Sequence, residues 1–177
     1  MDRRGDWMIN EDANVKLFSD YSRELGMKFG LSVDVAVADP GSSVIVDYPQ
    51  WTAKQEDGSD YAIGASKMMC LGSEYTIYIG SEIDALVREL ELDYVRLAGP
   101  MLPNSGASGC FAKDHVHRSS AESLWYIYEG LFAICNYLHS QYPDLIVDVS
   151  AQSYNPNGTI DYALLKYADV ERRANHE

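Results

Sequence analysis

The chain is poor in cations, poor in cysteine, and has no long apolar run. Lys and Arg number 14 against 27 Asp and Glu, for a formal net charge of −13. This argues against nucleic acid as a partner, because phosphate contacts need clustered Lys and Arg. The acidity names no partner of its own. Cys70, Cys110 and Cys135 are odd in number, irregularly spaced and without a C-x-x-C pair, which argues against a disulfide framework in 177 residues. No apolar stretch is long enough for a membrane-spanning helix. The opening MDRRGDWMINED has no apolar signal core. Both ends read as cut, one passing straight into a helix pattern and the other stopping at Asn175-His176-Glu177.

What is present suits a globular domain. Hydrophobic residues make up 46% and charged residues 23%, so one domain over 1–177 with a real core is expected. Thirteen Tyr and three Trp supply aromatic faces that fit sugar rings as well as cores and interfaces.

Strand and helix signals alternate. Val15, Phe18, Tyr21, Ser22 and Leu25 stand at helical spacing over 14–25, with Gly26 at the end. Residues 27–33 read as a short buried strand, 39–41 as a turn, 42–48 as a short helix closed by Pro49, and 52–66 as a polar loop. The segment 74–92 is amphipathic, with Tyr75, Ile79, Ile83, Leu86, Val87 and Leu90 on one face. A strand over 94–97 and a long Gly- and Pro-containing loop over 99–116 follow. Ser119-Ser120-Ala121-Glu122 is a capping-box signature ahead of a helix carrying Leu124, Ile127, Tyr128, Leu131, Ile134, Cys135 and Leu138. Trp125 and Tyr126 on this helix read as packing groups. Residues 145–149 have the continuous apolar character of a parallel strand. A turn at 155–158, a short helix over 159–167 and a fourth strand opening at 168–170 complete the pattern. This order implies right-handed crossovers and a parallel sheet. Four strands are half of an eight-stranded barrel, and their free edges call for a partner.

Several segments together resemble the catalytic barrel of α-galactosidase-like glycoside hydrolases. Gly5-Asp6-Trp7 resembles the GDW after the family's second strand. Residues 24–31, ELGMKFGL, are similar to its third strand, and Asp39-Pro40, Ser42 and Tyr48-Pro49-Gln50-Trp51 to the stretch that follows. Asp93-Tyr94-Val95-Arg96-Leu97-Ala98 is similar to DYIKWD; Tyr142-Pro143-Asp144-Leu145 and Leu165-Lys166-Tyr167-Ala168-Asp169 resemble the approaches to strands five and six. The resemblance implies an α/β fold with (β/α) units corresponding to strands three to six of a TIM barrel, and half of such a barrel, with two free sheet edges and an open apolar face, is expected to close as a homodimer.

The departures fall on the chemistry. The family's nucleophile is the last Asp of DYIKWD, and here that position is Ala98; the Trp before it is Leu97, and the Trp ending the third strand is Ser32. The acid/base position aligns with Asn175. A retaining glycosidase needs two carboxyl groups about 5–5.5 Å apart, so little or no activity is expected from a fragment or engineered derivative of such a barrel. The resemblance implies substrate contacts for Asp34 and Arg96 and adds Trp7 as a motif match; Asp148, a charge inside an apolar strand, and His117, in the loop above the fourth strand, are further substrate-binding candidates, with an ion pair from Arg96 to Asp34 or Asp148 as the plainer reading. Two other readings stand beside this one. Either the domain is an active α-galactoside hydrolase that uses Asp34, Asp148 or Glu171, or it is a remnant that binds carbohydrate without cleaving it. Cys110, Asp114, His115 and His117 fit no standard zinc knuckle and read as a polar loop. No metal and no cofactor are expected.

Overall fold

The protein is described by a computed structural model covering residues 4–7, 9, 14–102, 107–150 and 162–172. In chain order the elements are α1 (Val15–Glu24), β1 (Gly30–Asp34), β2 (Val37–Ala38), α2 (Ser43–Asp47), a 3-10 turn (Pro49–Trp51), β3 (Ala62–Ile63), β4 (Ser66–Met68), α3 (Tyr75–Leu90), β5 (Tyr94–Ala98), α4 (Ser120–Gln141), β6 (Ile146–Ser150), a 3-10 turn (Leu164–Lys166) and β7 (Val170–Arg172). The main sheet has the order β1-β5-β6-β7, parallel throughout. A second, antiparallel sheet has the order β2-β4-β3. No helix among the described residues is long and apolar enough to cross a membrane.

The two faces of the main sheet differ because successive strand residues point to opposite sides. Val95, Leu97, Val147 and Val149 are fully buried and share one apolar core with Ile79, Ile83, Leu131, Ile134 and Leu138 of α3 and α4. Each such side chain contributes roughly 1.5–3 kcal/mol through burial. The opposite face carries polar groups in register. Ser32 stands beside Arg96, Arg96 beside Asp148, and Asp34 beside Ala98. In a closed barrel this face would look inward.

Helix α4 starts where the capping box places it. Ser119 Oγ accepts from the Glu122 amide at 3.1 Å, whereas the Glu122 carboxylate reaches one residue further back, to the Arg118 amide. Helix α1 forms where the helical spacing places it but leaves most of its apolar residues uncovered. Leu17, Phe18, Tyr21 and Leu25 are exposed, and only Ser19 is buried. Three side-chain hydrogen bonds tie this helix to the end of α3, from Ser19 Oγ and Arg23 Nη2 to the Leu90 carbonyl, each 2.6 Å, and from Arg23 Nη1 to the Glu91 carboxylate at 2.7 Å, so α1 serves the last turn of α3 as a polar cap. Trp125 is also exposed, beside Tyr128, Phe132 and Tyr167, and is not a core group.

The segment read as a polar loop over 52–66 contains β3, the start of β4 and two isolated bridges, Thr52 to Met69 and Lys54 to Asp60. Asp60 organises it. Its carboxylate takes Lys67 Nζ and Thr52 Oγ1, each at 2.6 Å, and Lys54 Nζ. Burial alone would raise the Asp60 pKa; the hydrogen bonds from Lys54, Lys67 and Thr52 override it and hold it at about 2. The turn at 155–158 and residues 159–161 of the expected short helix lie outside the described residues; the remainder of that segment, 162–167, carries only the 3-10 turn Leu164–Lys166.

Candidate functional site

Parallel α/β architectures mount their chemistry at the C-terminal strand tips, and here Asp34 and Ala98 form that edge. They are Cα partners in the ladder, and the Val35 amide donates to the Ala98 carbonyl at 3.1 Å. Gly99 follows with φ +79°, and a Cβ there would lie 2.8 Å from Asp34 Cγ. Glycine thus lets the chain turn against the carboxylate. Arg4 Nη1 reaches Asp34 Oδ2 at 3.5 Å. The Arg4 amide and Nε donate to Asp39 at 3.0 and 3.1 Å, and Arg4 Nη2 donates to Ser66 Oγ at 2.6 Å. Hydrogen bonds from Ser66 and then Arg4 hold the Asp39 carboxyl below its ordinary pKa. Neither Arg4 nor Ser66 carries a sequence signal, because their meeting point is set by tertiary packing alone.

The expected site residues separate into those at the polar face and those elsewhere. Arg96 lies on the face with Asp34 and Ala98 and donates to Ser150 Oγ at 3.2 Å, while its Nε is buried without a hydrogen-bond partner among the described residues. The ion pair of Asp34 is with Arg4 rather than with Arg96. Asp148 is fully buried and accepts from the Tyr94 hydroxyl. Glu171 stands in register with Val149, on the opposite side of the sheet from Asp148, and so faces away from the strand-tip polar surface. Asn175 lies outside the described residues.

Trp7 and His117 are not at the strand tips. Trp7, at φ +50° and 4% exposure, borders a groove with Val15 of α1 and Glu82, Ala85 and Leu86 of α3. The Gly5-Asp6-Trp7 segment is structural here: Asp6 Oδ1 accepts from the Ser43 amide at 2.6 Å, at the start of α2. His117 is 4% exposed and turns into a thiol–imidazole cluster instead of a sugar pocket.

That cluster unites Cys70, Cys110, His115 and His117, whose ligand-capable atoms all lie within 4.8 Å of one another. His115 Nδ1 is 3.3 Å from His117 Nε2 and 3.6 Å from Cys110 Sγ, and Cys70 Sγ is 3.9 Å from His117 Nε2. Cys70 and Cys110 are fully buried, while Asp114 is exposed and stays outside. The loop thus turns Cys110 and His117 inward while Lys113, Asp114, Val116 and Arg118 stay exposed. Hydrogen bonding to Cys70 first, with further bonds from His115 and the Lys54 and Ala112 amides, overrides burial and pushes Cys110 well below the usual thiol range. The same Cys70–Cys110 contact, with burial, raises Cys70. Burial opposes charge on His115, yet its bonds to Cys110 and the Gln50 carbonyl raise its pKa. Cys70 is distant in sequence from the others, so spacing alone could not reveal it.

A parallel sheet with helices packed on one face and polar strand tips on the other resembles part of a glycosidase TIM barrel. The chain belongs to the Melibiase family, whose model matches residues 2–175. Among solved structures, it is similar to the galactosidase domain of the α-galactosidase–sucrose kinase AgaSK, at 16% identity and a TM-score of 0.73, covering 97% of this chain and 22% of that one. It is likewise similar to the GH36 α-galactosidase AgaB from Geobacillus stearothermophilus, at 18% identity and TM-score 0.73, covering 95% and 23%. An α-amylase from Lactobacillus plantarum matches at 19% identity and TM-score 0.66, over 94% and 38%. The chain spans about a quarter of the length of the α-galactosidases it matches. A search of curated proteins gives no match.

Proposed function

We propose that this chain is a catalytically silent segment of an α-galactosidase-like barrel, with groups suited to a sugar and no attacking carboxylate. The observation that carries this reading is Ala98 at the tip of β5, beside Asp34 and on the same face as Arg96 and Asp148. Retaining hydrolysis needs one carboxylate to attack the anomeric carbon and a second group to protonate the leaving oxygen. A methyl group does neither, and losing one member of such a unit typically costs several powers of ten in rate. The purified chain is therefore expected to give no turnover of a chromogenic α-galactoside above that of its Asp34→Ala variant. Turnover that Asp34→Ala abolishes would overturn the proposal and make Asp34 the working carboxylate.

Sugar binding without cleavage is the second part of the reading, and Arg96 supports it. Arg96 Nε is buried with no acceptor among the described residues, an arrangement that is costly, and a sugar hydroxyl is an acceptor of the right size. Calorimetry with galactose and with raffinose is expected to show binding that Arg96→Ala removes. Binding of equal strength in that variant would take Arg96 out of the site.

A further inference from the structure

We propose that Cys70, Cys110, His115 and His117 form a structural zinc site that ties the antiparallel lobe to the loop between β5 and α4. The distances match the requirement of the ion. Zinc takes sulfur at about 2.3 Å and imidazole nitrogen at about 2.0–2.1 Å, which in a tetrahedron separates two nitrogens by about 3.3 Å and nitrogen from sulfur by about 3.6 Å. The corresponding separations are 3.3 Å for His115 Nδ1 to His117 Nε2, 3.6 Å for Cys110 Sγ to His115 Nδ1, and 3.9 Å for Cys70 Sγ to His117 Nε2.

The surroundings prepare two of these atoms, His115 Nδ1 and Cys110 Sγ, as donors. His115 Nε2 lies 2.8 Å from the Gln50 carbonyl, which can only accept. The proton therefore sits on Nε2, leaving a bare lone pair on Nδ1 aimed into the cluster. The Lys54 amide donates to Cys110 Sγ at 3.4 Å, a bond that favours thiolate. Gly72 leaves room on the other side, where a Cβ would lie 3.3 Å from His117 Cδ2 and 3.5 Å from Cys70 Sγ. Two thiolates and two neutral imidazoles suit zinc and are the wrong donors for magnesium or calcium. Four protein donors close the coordination shell, and both sulfurs are fully buried. A nucleophilic thiolate needs access for its substrate and these have none, so the site is structural rather than catalytic.

The site is independent of the strand tips, and its test does not use activity. The untagged, reduced chain is stripped with chelator, checked for native circular dichroism, and titrated with zinc chloride. About one zinc per chain is expected by mass spectrometry of metals, with thermal stability rising on addition. Cobalt chloride in place of zinc is expected to give the visible absorption of tetrahedral cobalt with thiolate ligands. Cys110→Ser and His117→Ala are expected to lower zinc occupancy at least about tenfold, while Cys135→Ser, whose cysteine lies elsewhere in α4, retains it. A folded chain that takes up less than about 0.1 zinc, undiminished zinc in Cys110→Ser, or a Cys70–Cys110 disulfide in the freshly purified protein would each overturn the proposal.

Discussion

Replacing Asp60 with Asn isolates one electrostatic contribution to the antiparallel lobe. The carboxylate is held by Lys54, Lys67 and Thr52, all partly shielded from water. Its pKa is lowered from 3.8 to about 2. A depression of that size corresponds to about 2 kcal/mol of stability. Because the folded-state value is depressed, the contribution is complete above the unfolded value near 3.8 and is lost as pH falls through about 2. Asp60→Asn is therefore expected to cost about 2 kcal/mol at pH 7 and at pH 5, about half that at pH 3, and a few tenths at pH 2. Urea titrations of both proteins at these pH values measure the difference, and at neutral pH the melting temperature is expected to drop by about 4–8 °C. A deficit that stays constant down to pH 2 would refute the reasoning, as would the absence of any deficit at pH 7.

Tyr75 is fully buried and its hydroxyl has no hydrogen-bond partner among the described residues, so Tyr75→Phe is expected to stabilise the fold by about 1 kcal/mol, read as a raised urea midpoint. Gly109 has φ +116° and a Cβ there would lie 1.9 Å from the Ser120 carbonyl oxygen. Gly109→Ala is expected to cost at least about 3 kcal/mol in the same titration. Strands β1 and β7 each pair on one side only among the described residues, and α1 exposes Leu17, Phe18 and Tyr21. Size-exclusion chromatography with light scattering is expected to show a dimer at micromolar concentration, and a clean monomer would remove closure by a second copy.

Helical periodicity was readable in the sequence where the core enforces it. The apolar stripe of α3 and the Ser119 cap of α4 fall where the residue pattern places them, since burial and capping act within a few residues. Helix α1 has a similar stripe yet exposes it, because a periodic pattern specifies an apolar face without specifying what covers it. Strands β3 and β4 escaped notice because they are two and three residues long, too short for alternation to register. At the candidate site, Asp34, Arg96 and Ala98 could be placed from motif resemblance, and strand register then put Asp34 beside Ala98. The Arg4–Asp39–Ser66 network and Cys70 could not be found this way, since they join parts of the chain that only tertiary structure brings near.

The division of labour across the main sheet lets its two faces change independently. Val95 and Leu97 hold the strand in place from one side, while Arg96 and Ala98 occupy the other. A second negative charge at the end of β5 would stand next to Asp34 and repel it; the alanine found there adds no such charge and leaves the aliphatic packing untouched. A substitution at position 98 therefore alters the charge at the strand tips without disturbing the packing of β5 against α3 and α4.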